Sequence, residues 1–275
     1  MDLYTLRQRL ETEIASYGSV VVGFSAGVDS TVVAAAAHDA LGSESLMVTA
    51  VTETITAEDL ELARHLASER GWNYQEMTYN ELDLPNYAGN PIDRCYWCKD
   101  GLYAGLRVIA RERRFRYVAD GTNIDDTGDY RPGRRAAVEH GIRSPLLDLG
   151  ITKKQTRLLA SIYQLPNHDK PSAPCLSSRV PYGTKITRDV LMMIDGAERA
   201  LRELGFRELR VRHHGDVARL ELLSEDIPRA AAIASTIDER LRAVGYRFVA
   251  LDLGGFRSGS LNEVLVDIDL PAKTP

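Results

Sequence analysis

Cysteine is scarce in this chain, with three in 275 residues, at positions 95, 98 and 175. So few thiols cannot form the disulfide framework of a small secreted protein, and their use shifts to metal or redox chemistry. No stretch approaches the roughly 18 uninterrupted apolar residues of a membrane-spanning helix. No amino-terminal export signal is expected, because Met1-Asp2-Leu3 lacks a basic head and Glu11 and Glu13 interrupt any apolar core. The cytoplasm is the expected compartment. Basic residues are not in excess either: the net charge is -5 and the isoelectric point is near 5.7, which argues against a nucleic-acid partner. The densest basic cluster, Arg111-Glu112-Arg113-Arg114-Phe115-Arg116, is expected to decorate the solvent face of a helix end. Internal repeats and low-complexity tracts are absent. What remains, 44% hydrophobic and 27% charged residues, is the composition of a globular protein of about two domains.

The first part of the chain alternates β-rich apolar runs with helical patterns, the signature of a parallel sheet covered by helices on both faces. Strands are predicted at Val20 to Phe24, Leu46 to Val51, Asn73 to Thr78 and Tyr117 to Ala119, and helices at Thr31 to Leu41, Ala57 to Arg70 and Lys99 to Arg113. Thr56 and Asp59 open the second of these helices as a capping-box variant, and Gly71 closes it. Residues 166–186, with four prolines and the third cysteine, read as an interdomain passage between domains at 1–165 and 187–275. The second domain reads as α-β-β-α-β: a helix at Arg188 to Leu204, strands at Glu208 to His213 and Val217 to Leu222 around His214-Gly215-Asp216, a helix at Pro228 to Ala243, and a strand at Phe248 to Leu253.

After the first strand comes Ser25-Ala26-Gly27-Val28-Asp29-Ser30, followed at once by an alanine-rich helix. Gly27 permits a tight turn, the two serines bring hydroxyls, and the helix start offers N–H groups and a positive dipole end to a phosphate. A Walker-type loop needs a lysine after its last glycine, and there is none here. The segment instead resembles the PP-loop, Ser-Gly-Gly-x-Asp-Ser, of enzymes that cleave ATP to AMP and pyrophosphate. Ala26 stands in place of the first glycine, a change without strain provided that this residue keeps a negative φ. Asp29 is also suited to cap the helix. Asp120-Gly121-Thr122-Asn123-Ile124-Asp125-Asp126 follows the fourth strand and resembles the second nucleotide-site element of PP-loop synthetases; such Asx-rich segments also form as plain turns. Both loops belong at the carboxyl ends of strands, on one rim.

Cys95-Tyr96-Trp97-Cys98 is a C-x-x-C, compatible with zinc, iron–sulfur or redox chemistry. With Cys175, three thiolates could hold three corners of a [4Fe-4S] cluster and leave the fourth iron open. His168 as a fourth ligand would instead close a zinc site, and cysteines without metal pack as small hydrophobes. Lys99 is placed to neutralise a departing pyrophosphate. Arg210 and Arg212 share one side of a strand, either as a phosphate or carboxylate clamp or as a solvated face.

Four segments carry a more specific resemblance: Asp129-Tyr130-Arg131-Pro132-Gly133, Cys175-Leu176-Ser177-Ser178-Arg179-Val180-Pro181-Tyr182-Gly183, Arg210-Val211-Arg212-His213, and Leu251-Asp252-Leu253-Gly254-Gly255-Phe256-Arg257-Ser258-Gly259. Together they span nearly the whole chain, and they resemble the LarE family of ATP-dependent sulfur transferases, which make the nickel-pincer nucleotide used by lactate racemase. The resemblance implies an α/β PP-loop domain, of the adenine nucleotide alpha hydrolase-like type, with a smaller α+β domain. It implies pyridinium-3,5-biscarboxylic acid mononucleotide as substrate, ATP and Mg²⁺, and conversion of carboxylates to thiocarboxylates through an acyl-adenylate. Some members sacrifice the sulfur of the cysteine equivalent to Cys175. A chain that also has Cys95 and Cys98 is similar to the three-cysteine branch, in which a [4Fe-4S] cluster carries sulfur supplied by sulfide or another donor. ATP would be held by Ser25, Gly27, Val28, Asp29, Ser30, Asp120, Gly121, Asn123 and Asp125, and the substrate by Ser178, Arg179, Arg210, Arg212, Arg257 and the acidic Glu198 and Glu221, which could also bind a cation. Asn262 belongs to the same tail. A homo-oligomer, trimer or hexamer, assembled through the smaller domain is also implied. Two other readings share these residues: a tRNA-thiolating PP-loop enzyme, which would need a broad basic surface, and a metal-bearing nucleotide sensor without turnover.

Overall fold

The structure is a computed structural model and describes residues 2–127, 132–171 and 175–257. The chain divides into two compact units, 1–173 and 174–275. The division falls inside the 166–186 passage, and residues 166–171 are built into the first unit.

In the first unit α1 (Leu3–Ala15), β1 (Val20–Gly23), α2 (Val28–Leu41), β2 (Ser45–Val51), α3 (Ala57–Glu69) and β3 (Tyr74–Thr78) follow one another. A single turn α4 (Pro85–Ala88), the long α5 (Arg94–Glu112) and β4 (Tyr117–Ala119) come next, followed by α6 (Gly133–Glu139), the short α7 (Pro145–Asp148) and α8 (Lys153–Ile162). The four strands are parallel in the order β3-β2-β1-β4. Alternation along the strands divides the core. Val20, Val22 and Met47 pack on one side with α1, α2, α3 and α8, while Val21, Leu46 and Val48 face α5 and α6 on the other. The chain leaves β1 toward β2 and returns to place β4 on the opposite flank of β1. The loops after β1 and β4 therefore meet at a switch point of the sheet, where ligands of open α/β sheets bind.

Several boundaries differ from the sequence reading. Helix α2 begins at Val28 rather than Thr31 and has Gly27 as its N-cap, so Asp29 lies in the first turn and is not the cap. Helix α5 begins at Arg94, which puts the C-x-x-C inside the helix instead of ahead of it. Helix α8 was not foreseen, although its complete capping box, Thr152 with Gln155, is a legible signal. Thr56 does cap α3, accepting from the Asp59 N–H.

The second unit consists of α9 (Arg188–Glu203), β5 (Leu209–His214), β6 (Val217–Leu222), α10 (Ile227–Ala232), α11 (Ala234–Val244) and β7 (Phe248–Leu251). The predicted helix over 228–243 is two helices, separated at Ile233. Strands β5 and β6 are antiparallel and β7 joins β6 in parallel, in the order β5-β6-β7. Leu201, Phe206, Val211, Leu220, Leu241 and Tyr246 form the core of this unit.

Candidate active site

The PP-loop segment folds into a closed set of short hydrogen bonds at the head of α2. Ser30 Oγ donates to the Gly27 carbonyl at 3.0 Å and accepts from the Ser25 N–H at 3.3 Å, with Ser25 Oγ 3.2 Å away. Thr31 Oγ1 donates to the same carbonyl at 2.8 Å. The backbone corrects the expectation for Ala26, whose φ is +54°, whereas Gly27 has an ordinary φ of -73°. An L-residue held in the left-handed region costs about 1–2 kcal/mol, so this strain must be offset by neighbouring contacts. Gly27 serves space, not dihedral freedom. A Cβ there would meet only Ser25 Oγ, at 3.4 Å, and the open volume beside the helix N-terminus is the kind that a phosphate fills.

Gly121 brings the second loop against the first. A Cβ on this residue would lie 2.6 Å from Ser30 N and 2.9 Å from Asp29 C, so only a glycine lets the two backbones approach this closely. Asp120 anchors the loop: its carboxylate accepts from Tyr103 Oη at 2.6 Å, Thr122 Oγ1 at 2.8 Å and Ser144 Oγ at 2.8 Å. Asp125 accepts from the Lys153 N–H at 2.7 Å and thereby ties the loop to the start of α8. Among the described residues, Asn123 Nδ2 is buried without a hydrogen-bond partner of good geometry, with the Asp29 carboxylate beside it. Burial pushes the Asp29 carboxyl up to about 6, assisted by Asp126 and opposed by Lys153. A buried carboxylate destabilised as an anion, next to an unmet amide donor, fits a cation-bound phosphate; Asp29 would hold Mg²⁺ and the loop N–H groups the phosphate oxygens.

Cys95 and Cys98 occupy successive positions of one face of α5, three residues apart, Cys95 exposed and Cys98 half-buried. Cys98 Sγ donates to Glu81 Oε1 at 2.7 Å. Glu81 is itself buried and accepts from Thr54 Oγ1 at 2.6 Å; burial raises its pKa. The intervening Tyr96 is fixed by Glu139, at 2.6 Å, and by Arg135 stacked 3.7 Å above its ring. Lys99 lies one residue on, its Nζ 5.3 Å from the centroid of the Tyr103 ring. Tyr103 and the nearby Asp120 push Lys99 above the ordinary lysine range, so it stays an ammonium. Gly133 packs against this helix start, where a Cβ would meet Lys99 Cγ at 2.9 Å. His168, the alternative zinc ligand, places Nδ1 3.1 Å from the Leu165 carbonyl.

In the second unit Cys175 is exposed and precedes the single turn Leu176–Arg179. Arg179 and Arg212 hold that turn from within. Arg179 NH1 donates to the Cys175 carbonyl at 3.2 Å and to Ser178 Oγ at 3.0 Å, and Arg212 NH1 donates to the Ser178 carbonyl at 2.7 Å. Behind them lie two buried carboxylates. Glu198 receives Arg179 at 2.8 and 3.0 Å, Arg202 at 3.0 Å and the Val211 N–H at 3.2 Å. Glu221 receives Arg212 at 2.9 Å and Arg219 at 3.0 Å. Arg210, 5.0 Å from the centroid of the Phe256 ring, is lowered to about 10 by burial and by the positive charges of Arg179 and Arg212. Glu198 and Glu221 raise it in turn, so Arg210 lies beside two arginine–carboxylate pairs. Arg257 is exposed, with NH1 3.4 Å from the Gly255 carbonyl. Asp129, Tyr130, Arg131, Ser258, Gly259 and Asn262 lie outside the described residues. Within the described residues, no group of three or more His, Cys, Asp or Glu side chains is gathered as a metal site, and no helix is long and apolar enough to cross a membrane.

Comparison with known proteins agrees with this geometry. Residues 3–86 match the family described as NAD synthase. The pyridinium-3,5-bisthiocarboxylic acid mononucleotide synthase of Lactiplantibacillus plantarum is 38% identical over 269 residues, 98% of each chain. The chain belongs to the LarE family. The chain is thus an ATP-dependent enzyme of this LarE family, with a PP-loop domain. An uncharacterized protein of Synechocystis sp. is 41% identical over 265 residues, covering 94% of this chain and 99% of that one. Another, from Methanocaldococcus jannaschii, is 26% identical over 246 residues. Residues that the sequence reading missed in this LarE protein are Glu81, the partner of Cys98, together with Tyr103 and Ser144, which hold Asp120, and Asn167 and Lys170, which reach the PP-loop. None belongs to a motif; each is a single polar residue made significant by a long-range contact.

Proposed function

We propose that this protein is an ATP-dependent sulfur transferase that converts carboxylates of pyridinium-3,5-biscarboxylic acid mononucleotide to thiocarboxylates. Near full-length similarity to the curated synthase carries this reading, and the Gly121 contact that joins the two nucleotide loops supports it. A carboxylate is a poor acyl donor. Its oxygen attacks the α-phosphorus of ATP, the bond to the pyrophosphate breaks, and an acyl-adenylate forms. The head of α2 and the ammonium of Lys99 stabilise the departing pyrophosphate, and Asp29 would hold Mg²⁺, which when bound would supply further positive charge there. Hydrosulfide then adds to the activated carbonyl, AMP leaves with the C–O bonding pair, and a proton is released as the thiocarboxylate forms. In this reading Arg210 would receive the substrate's phosphate. Arg179 and Arg212 fix the backbone of the turn that carries Cys175, and Ser178 and Arg257 flank it.

For sulfur delivery we favour the cluster reading. A [4Fe-4S] cluster, when bound, would offer an open iron site able to carry sulfide. Cys95 and Cys98 on one helix face fit two of its corners, and Cys175, exposed at the start of the second unit, is the third ligand in this reading. Self-association is assigned to the smaller unit, where Met192, Phe248 and Leu253 are exposed at 65%, 59% and 83%. Anaerobically purified protein should contain iron and acid-labile sulfide and thiolate the pyridinium dicarboxylate only with ATP, releasing AMP and pyrophosphate. Cys95→Ser or Cys98→Ser should lose the iron and catalytic turnover together. Full activity with only Cys175 retained would replace the cluster with sacrifice of that cysteine's sulfur, and no thiolation of this substrate would end the reading.

A further inference from the structure

The strained residue of the PP-loop has an evident support. Ala26 is fully buried and sits at φ +54°. Its carbonyl accepts two hydrogen bonds from a segment some 140 residues further along the chain: Asn167 Nδ2 at 3.0 Å and Lys170 Nζ at 3.2 Å. Asn167, 5% exposed, spans two points of the loop, because the same nitrogen lies 2.9 Å from Thr31 Oγ1, whose hydroxyl donates to the Gly27 carbonyl. Lys170 is anchored in turn by Asp59 of α3 at 2.5 Å. Arg157 of α8 holds the carbonyls of His168 and Lys170 at 3.1 and 2.8 Å, so the donor segment is itself fixed.

We propose that Asn167 and Lys170 are positioning residues of the ATP site: by gripping the Ala26 carbonyl they hold the PP-loop in its phosphate-receiving form before ATP arrives. The peptide geometry supplies the reason. In a trans peptide the carbonyl of Ala26 and the N–H of Gly27 point in opposite directions. Drawing the carbonyl toward Asn167 and Lys170 turns the Gly27 N–H away from them, leaving it to a phosphate oxygen. A glycine in this place enters the left-handed region without steric penalty, whereas alanine does so only if contacts compensate. The grip is thus a counterpart to the Ser-Ala-Gly spelling of this loop. Lys170 contributes a positive charge as well, but its bond to Asp59 directs that charge to the carbonyl.

This inference rests on the ATP reading of the loop, and the test separates the two. Binding of magnesium α,β-methylene-ATP is measured by calorimetry for the wild-type protein, Asn167→Ala and Lys170→Met, each with and without Ala26→Gly. Each single variant should bind about tenfold more weakly, the factor expected when roughly the strain of one left-handed residue is no longer offset. In turnover assays the loss should fall on KM for ATP, with kcat changed less than twofold. Adding Ala26→Gly should return affinity to within about threefold of wild type, a recovery that a merely structural defect or a lost direct contact with ATP would not give. Should Asn167→Ala fail to fold, Asp59→Asn, which loosens Lys170 without touching the loop, should weaken binding several-fold and be recovered by Ala26→Gly in the same way. Wild-type binding with unaffected variants, or losses that the glycine does not repair, overturns the positioning role alone. Wild-type protein that binds no analogue removes the ATP reading and this proposal with it.

Discussion

Replacing Glu198 by alanine should destabilise the second unit by about 4 kcal/mol. Its carboxylate is fully buried and satisfies four donor contacts from Arg179, Arg202 and the Val211 N–H. Removing it strands the guanidinium of Arg179, which is only 2% exposed, and breaking such a buried pair costs about 3–5 kcal/mol. The contact with Arg202, one-third exposed, adds about 1 kcal/mol at most. Both tryptophans, Trp72 and Trp97, lie in the first unit, so fluorescence would miss the event. Urea unfolding followed by circular dichroism, with hydrogen exchange read at amides 209–222, is the suitable assay. The double variant Arg179→Met, Glu198→Leu should recover most of the stability, because no charge is left buried, while thiolation stays impaired for want of the Cys175 carbonyl's donor. The pH dependence has a definite sign. Burial raises the Glu198 pKa, but Arg179 and Arg202 outweigh it and hold the carboxyl below the ordinary glutamate range. Its contribution is therefore present above the unfolded pKa and is lost as pH falls through the folded value, so the gap between variants and wild type should start to close as pH drops below the ordinary glutamate pKa of about 4.3. A loss under about 1 kcal/mol would refute the reasoning. So would wild-type stability that rises with Mg²⁺ and collapses in chelator, which would make Glu198 a cation ligand rather than an arginine partner.

Three further outcomes follow from the nucleotide end. Asp29 titrates near 6 in the folded protein, above its unfolded value, so stability should fall as pH rises from about 4 to 6. Asp29→Asn should flatten that slope, gaining about 3 kcal/mol at pH 7 in chemical denaturation while losing Mg²⁺-dependent ATP binding; a parallel slope in both proteins would contradict this. Gly121→Ala forces a methyl group into the Asp29–Ser30 backbone, and we expect at least tenfold weaker ATP binding with about 1–3 kcal/mol lost in thermal unfolding. Glu81→Gln should keep the fold yet raise the rate at which Cys98 reacts with a maleimide, since the half-buried thiol loses its charged acceptor; unchanged alkylation kinetics would show that Glu81 does not restrain it.

The parallel sheet, its order of assembly along the chain and the two loops that meet at its switch point were legible in the sequence, because they are written in local currencies: apolar alternation, turn chemistry and glycine placement. The smaller unit's strands were legible for the same reason, apart from the break at Ile233, which no glycine or proline announces. The start of α5 was not, since Asp93 makes no side-chain cap and proline and asparagine crowd the residues before it; the consequence was to miss that Cys95 and Cys98 share one helical face. Ala26 gives the sharpest contrast. Its sequence neighbours match the PP-loop pattern, but its dihedral depends on donors from Asn167 and Lys170, and no local rule connects residues that far apart. The same holds for Arg179, Arg212, Glu198 and Glu221, which composition marks as charged and therefore exposed. By itself the sequence pointed to the two loops proposed to meet a nucleotide and fixed how many thiols are on hand. Tertiary structure alone decided which charges are buried as pairs and which backbone is held under strain, because both depend on desolvation and long-range contact rather than on the order of residues.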